Sequence, residues 1–192
     1  YMVGIMEIDK KVIERCKKYD KEAFTSLFHQ YEKYLFILCY GYTQDNESAL
    51  DLVQDIYIKV FNNIKKFDSS YSFHPWIRKI AVNTCLNFKR DKKSNVISMN
   101  RETEEGMKEE DRIASKHNVE QDVLRADTKR IVQNNIKNLP EKYRLIITLR
   151  YYENLSYSEI AEVLEKPMGT IKTDIYRAKT ILRKSLEKEL EG

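Results

Sequence analysis

The residues with the clearest chemical capacity lie near the C-terminus. Lys172, Thr173, Tyr176, Arg177 and Thr180 share one side of a helical pattern, while Ile171, Ile175, Ala178 and Leu182 follow i, i+4, i+7 and i+11 on the other. One face is core and the other reads. Long donors and small hydroxyls at the start of such a helix suit a DNA major groove, with Arg and Lys reaching guanine edges or phosphates and Thr reaching thymine methyls or phosphates. Little in the sequence suggests an enzyme. His29, His74 and His117 fall on a helix, a loop and a polar stretch, none beside a nucleophile. There is no glycine-rich phosphate loop and no metal-ligand cluster, so no catalytic residue, cofactor or metal is expected. Cys16, Cys39 and Cys85 are odd in number, far apart and in apolar helical contexts, which reads as buried free thiols in a reducing compartment.

The reading face needs a scaffold, and the preceding residues supply one. In Leu155-Ser156-Tyr157-Ser158-Glu159-Ile160, Ser156 and Glu159 form a capping box and Leu155 packs on Ile160 as a hydrophobic staple. A helix from Tyr157 must end near Glu165 or Lys166, because Pro167 disfavours helical geometry before it. After a Pro167-Met168-Gly169 turn the reading helix starts near Thr170, which completes a helix-turn-helix. Upstream, Val123, Leu124, Ile131, Val132, Ile136 and Leu139 are spaced for a helix ending at Pro140, which opens another running to about Tyr152.

The first half is also helical. Apolar residues recur every three or four positions from Val12 to Tyr42, predicting two helices broken near Lys18 to Lys21. From Ser48 to Ile64, Leu52, Val53, Ile56, Val60 and Ile64 form a buried stripe and leave Asp51, Gln54, Asp55, Lys59 and Asn62 outside. Phe67 to Pro75 reads as a loop, followed by a helix from Trp76 to about Lys92. Along that helix Trp76, Ile80, Asn83, Asn87 and Arg90 make a single stripe, although Trp76, beside Phe73, is also a candidate for the core.

Between Ser94 and about Glu120 the periodicity fades into Glu, Lys, Asn and Ser, and so long a stretch inside one core argues for two domains with a linker. The charge agrees. A net +4 overall resolves into +4 for residues 1–93, −4 for 94–127 and +4 for 128–192, two basic surfaces around an acidic middle. With only five Gly and three Pro and 33% charged residues, the expected fold is all-α: two small helical domains joined by a flexible acidic linker, the second a helix-turn-helix. The longest uncharged apolar run, Tyr34 to Tyr42, is about half of the roughly 20 residues a membrane helix needs, and Tyr1 to Ile8 has no secretory pattern. A cytoplasmic protein is expected.

Three motifs resemble one family. Asp51-Leu52-Val53-Gln54-Asp55-Ile56-Tyr57-Ile58-Lys59-Val60-Phe61 is similar to the core-binding segment of bacterial sigma factors. Phe73-His74-Pro75-Trp76-Ile77-Arg78-Lys79-Ile80-Ala81-Val82-Asn83 through Arg90 is similar to their promoter-melting segment. Leu139-Pro140-Glu141-Lys142-Tyr143-Arg144, Ser156 to Ala161, Gly169 to Thr173 and Arg177-Ala178 resemble their C-terminal domain. Two domains with a short linker match the extracytoplasmic-function branch.

The resemblance implies roles for particular residues. Asp51, Gln54, Asp55 and Lys59 would dock on core RNA polymerase, an acidic-polar face for a basic partner, with Asp55 one methylene shorter than the family's usual Glu. Residues 1–93 would recognise and melt minus-ten DNA through Phe67, Tyr71, Phe73, Trp76, Arg78, Lys79, Asn83, Asn87 and Arg90, by stacking, amide hydrogen bonds and phosphate contacts. The Phe67 to Phe73 loop would receive a flipped base. Residues 94–120 would be the linker. Residues 121–192 would read the minus-thirty-five duplex through Thr170, Lys172, Thr173, Asp174, Tyr176 and Arg177. Asp174 departs from the family's usual Arg; it either lies along the protein flank or accepts a hydrogen bond from cytosine N4. The implied partners are core polymerase, promoter DNA and an anti-sigma factor, which could hold the protein at a membrane. The alternatives are a free-standing helix-turn-helix regulator and a polymerase-binding adaptor without DNA specificity.

Overall fold

In a computed structural model of the protein, residues 7–96 and 134–190 are described, excepting the side chains of 89–96 and 189–190. Among them every regular element is helical: α1 Lys10–Lys17, α2 Lys21–Thr43, α3 Asn46–Asn63, α4 Phe73–Val96, α5 Glu141–Ile147, α6 Tyr157–Leu164 and α7 Met168–Leu190. A 3-10 turn, Ile64–Lys66, follows α3, and a π turn, Thr148–Tyr152, follows α5. Residues 134–137 are the end of a further helix. The linker expected at 94–120 lies almost wholly outside the described residues, as does the start of the helix expected from Gln121.

Aspartates set the starts of the first three helices. Asp9, Asp20 and Asp45 each accept hydrogen bonds from amides of the following first turn, 2.8–3.2 Å long, satisfying donors that have no partner within the helix. Tyr19 and Gln44, at φ 61° and 56°, reverse the chain between them. The break expected near Lys18 to Lys21 is thus a left-handed residue followed by a cap. Helix α4 begins at Phe73, three residues before the sequence reading, because Pro75 sits within the first turn, where a missing amide hydrogen costs nothing.

Leu27, Tyr31, Leu35 and Leu38 of α2, Leu52, Ile56 and Val60 of α3, and Ile77, Ala81 and Cys85 of α4 fill the first core. Each fully buried aliphatic side chain contributes about 2 kcal/mol. The three cysteines are buried and unpaired, and burial pushes the Cys16 thiol up to about 11.

The two halves also pack on one another, which the sequence reading did not anticipate. Leu145, Ile146, Leu149, Leu155 and Ile160 join the same buried cluster as α2. Arg144 crosses the joint: its Nε donates to the Tyr42 carbonyl at 2.8 Å, and Nη1 donates to the Leu139 and Lys137 carbonyls at 2.7 and 3.2 Å. Gly41 admits the close approach, since a Cβ there would stand 2.6 Å from Thr148 Oγ1.

Candidate nucleic-acid interfaces

The helix-turn-helix is built as its residue types require. Ser156 Oγ accepts from the Glu159 amide at 3.2 Å, and a Glu159 side-chain oxygen accepts from the Ser156 amide at 2.7 Å. This hydrogen bonding holds the Glu159 carboxyl below the usual range. Glu165, at φ 52°, ends α6, and α7 starts at Met168, two residues before the expected start. Thr170, Lys172, Thr173, Tyr176 and Arg177 are exposed on α7, and the Thr173 hydroxyl donates to the Gly169 carbonyl at 2.9 Å. Ile171, Ile175 and Ala178 are buried.

Asp174 does not join this exposed face. It is only 5% exposed and turned inward, 3.6 Å from Lys142 Nζ, because position 174 is i+3 from Ile171 and shares its buried side. Of the two positions the sequence left open, the structure places it against the protein.

On α4, Asn83 and Asn87 are exposed and Trp76 is half-buried; the Arg90 side chain lies outside the described residues. Phe67 and Phe73, expected as contacts, are in the core. Their rings meet each other and Trp76 at centroid distances of 5.2–5.3 Å and form an aromatic floor. The loop above is pinned to α1, with Lys17 Nζ donating to Ser69 Oγ and Ser69 Oγ to Glu14, while the Asp68 carboxylate accepts from the Ser70 amide at 2.9 Å. This leaves Tyr71 72% exposed at the mouth of a cleft of about 570 Å³. Tyr71, Trp76 and Lys79 line one wall of that cleft, and Glu159 and Glu162 of α6 line the other.

Two of the cations expected to hold phosphate, Arg78 and Lys79, already have partners. Arg78 Nη1 lies 3.3 Å and His74 Nε2 3.4 Å from Glu153 Oε2, and Lys79 Nζ lies 3.2 Å from Glu165. Glu153 is almost fully enclosed. Burial alone would raise its carboxyl, but hydrogen bonding from His74 and the charges of His74 and Arg78 outweigh it and hold the group below the ordinary range. The Tyr34 hydroxyl also faces this carboxylate without completing a well-shaped hydrogen bond.

On α3, Asp51, Gln54 and Asp55 are exposed together at i, i+3 and i+4. A groove of about 600 Å³ between α2 and α3 lies alongside, with Phe36, Leu50 and Tyr57 in its walls. Lys59 is drawn away from this face, its Nζ donating to Thr84 Oγ1 of α4 at 3.0 Å. Among the described residues no cluster of His, Cys, Asp and Glu could hold a metal, and no helix is long and apolar enough to cross a membrane.

The sequence reading missed Glu153 and Arg144. A guanidinium inside Tyr143-Arg144-Leu145-Ile146-Ile147 is a signal, since a charge in an unbroken apolar run must find buried partners. Glu153, beside a polar loop, carries no such signal.

Comparison with known proteins follows the same division. Residues 27–95 match the model of the Sigma-70 region 2 family, and residues 129–182 that of Sigma-70, region 4. The chain is 34% identical over 179 residues to the ECF RNA polymerase sigma factor SigW of Bacillus subtilis, covering 92% of this chain and 96% of that one. It is 31% identical over 186 residues to the RNA polymerase sigma-H factor of Pseudomonas aeruginosa, covering 94% and 95%. Its fold is similar to that of the sigma factor RpoE of Bartonella quintana, solved in complex with the anti-sigma factor NepR, at a TM-score of 0.65 and 20% identity, covering 85% and 96% of the two chains. CnrH, solved with the cytosolic domain of CnrY, is similar at a TM-score of 0.60 and 19% identity, covering 94% and 97%.

Proposed function

The chain belongs to the extracytoplasmic-function RNA polymerase sigma factors, and from that premise we propose that it docks on core polymerase through α3 and reads two promoter elements with its two halves. The division is residues 1–93 for docking and minus-ten capture, 94–120 for the linker, and 121–192 for minus-thirty-five recognition.

The observation that carries this reading is the coexistence, on one short chain, of three differently built surfaces. Asp51, Gln54 and Asp55 present an exposed acidic-polar face beside an apolar groove, a combination suited to a basic protein partner. A floor of three aromatic rings under exposed Tyr71, with Arg78, Lys79, Asn83 and Asn87 along the adjoining helix, suits unpaired bases and their phosphates. Lys172, Tyr176 and Arg177 stand outward on α7, a helix of groove-reading type that follows the capped α6. A repressor has no use for the first two. Phe67 and Phe73 act beneath the base pocket, and Asp174 supports α7 from inside. The chain does no covalent chemistry itself; bond formation belongs to the polymerase. We also assign it to the cytoplasm, with an anti-sigma factor as its regulator.

Run-off transcription with purified core polymerase tests this. Promoter-specific transcripts should appear from a promoter library only when the chain is added, and Asp51→Lys with Asp55→Lys should abolish them. No specific transcript anywhere in the library would overturn the reading.

A further inference from the structure

We propose that α1 is a positioning element for minus-ten recognition: Glu14 and Lys17 hold Ser69 and thereby fix where the Phe67 to Phe73 loop presents Tyr71 to a captured base. This role rests on the reading above, in which that loop receives the base. The helix that performs it lies outside the Sigma-70 region 2 match, which starts only at residue 27.

Glu14 and Lys17 stand three residues apart on one face of α1 and pair with each other at 2.9 Å. Ser69 Oγ accepts from Lys17 Nζ at 2.6 Å and donates to the Glu14 carboxylate, so its hydroxyl is used in both directions. Hydrogen bonding from Ser69 and Lys17 holds the Glu14 carboxyl below the ordinary range and keeps it an acceptor. With the Glu14 side chain 53% exposed, the pair adds little to stability. Its leverage is geometric.

Helix α1 has the rigidity this requires. Ile13 and Cys16 anchor it in the core, and Asp9 caps its start. Just past its end, Tyr19 packs on Phe61 at a centroid distance of 5.1 Å and carries Lys65 Nζ 4.4 Å above its ring. The α1 segment therefore grips the 3-10 turn from which the loop departs as well as the loop itself.

The loop passes this hold on to Tyr71. Phe67 and Phe73 are buried at its two ends; between them the Asp68 carbonyl accepts from the Tyr71 amide at 3.1 Å, closing a turn. Two side chains of that turn have opposite fates, Ser69 tied to α1 and Tyr71 left exposed at the cleft. Releasing Ser69 would leave only the phenylalanines as anchors and give the turn more conformations. A base is discriminated by groups held in a fixed place, whereas stacking on a loose ring tolerates any base. Freeing the loop should therefore cost discrimination more than affinity.

The test uses holoenzyme reconstituted from core polymerase and the full chain, on a promoter library randomised across the minus-ten element and read by sequencing the transcripts. Tyr71→Ala should flatten the base preference at one minus-ten position. Ser69→Ala and Glu14→Ala should each flatten that same position by about fivefold, the size expected for one lost hydrogen bond, and leave the minus-thirty-five preference unchanged. Ser69→Thr, which keeps the hydroxyl, should retain the wild-type ranking. Combining Glu14→Ala with Ser69→Ala should flatten it no further than Ser69→Ala alone, because both variants remove one shared contact. Glu14→Ala, at an exposed helical position, serves if Ser69→Ala disturbs the fold. If Tyr71→Ala alters no base preference, the reading of the loop fails and the positioning role with it. If Tyr71→Ala flattens a position while Ser69→Ala and Glu14→Ala keep the wild-type ranking there, or weaken every promoter equally, the positioning role alone is overturned.

Discussion

Asp174 and Glu153 carry the same functional group, both nearly out of reach of solvent, yet they serve different ends. Asp174 braces α7 from within, and its partner Lys142 is about half exposed and can return to water if the carboxylate is removed. Asp174→Ala should therefore cost only about 1 kcal/mol in denaturant unfolding and leave the order of preference among minus-thirty-five sequences unchanged. A changed preference would place the carboxylate at the DNA after all. Glu153 is held ionised by His74 and Arg78 despite burial. Because its folded pKa lies below the ordinary 4.5, its contribution is fully present above that value and is lost as pH falls through the folded pKa. Thermal scans should show the melting temperature declining below about pH 4.5, with a shallower decline in Glu153→Gln. The apolar neighbours of Asp174 could be read from helical spacing. Nothing local to Glu153 announced its burial, because the groups that enclose it, Tyr34, His74 and Arg78, come from helices more than 70 positions earlier.

The helices themselves were the most legible part of the chain, since their starts and stops depend on neighbours in sequence. Ser156 with Glu159 marked one start and Pro167 placed the turn before α7, whereas Asp20 and Asp45, which cap α2 and α3, went unread as starts. Ser156→Ala should cost about 1 kcal/mol of stability and weaken binding to a minus-thirty-five duplex, because the supporting helix frays at the end from which the reading helix is aimed. Calorimetry and fluorescence anisotropy on the same variant would check both. Boundaries failed by two or three residues where a proline was taken as the edge of an element. Pro75 lies inside the first turn of α4, and Pro167 just before α7, because a ring without an amide hydrogen fits the opening turn as readily as the residue before it. The Phe67 to Phe73 stretch was legible as a loop but not in its division of labour, with Tyr71 outside and the two phenylalanines beneath.

At the scale of the molecule, the docking of the halves follows from packing and not from any local pattern. Gly41 is a point of close approach to Thr148 in the last turn of α2, where Ala would favour the helix by up to about 1 kcal/mol. Gly41→Ala should therefore leave the N-terminal half at least as stable while pushing against Thr148 and loosening the joint. Small-angle scattering should give a larger radius of gyration than wild type, and an unchanged radius would mean that Thr148 yields instead. Composition and charge had suggested two domains; their contact surface was hidden because each helix shows a second apolar side that a two-domain reading assigns to its own core. Arg144 was its one visible trace.

The π turn at Thr148–Tyr152 gives the joint an unusual dependence on chain length. The Glu153 amide bonds back five residues to the Thr148 carbonyl, so this turn holds one residue more than an α-helical turn. Removing one, such as the exposed Tyr151, would let ordinary helix run through. Each residue advances an α-helix by about 100°, so Glu153 would then swing well away from Arg78 while every letter of both remained in place. The contact between the halves is thus written in spacing as well as in residue type, and an alignment that closes a single gap here would erase it from view.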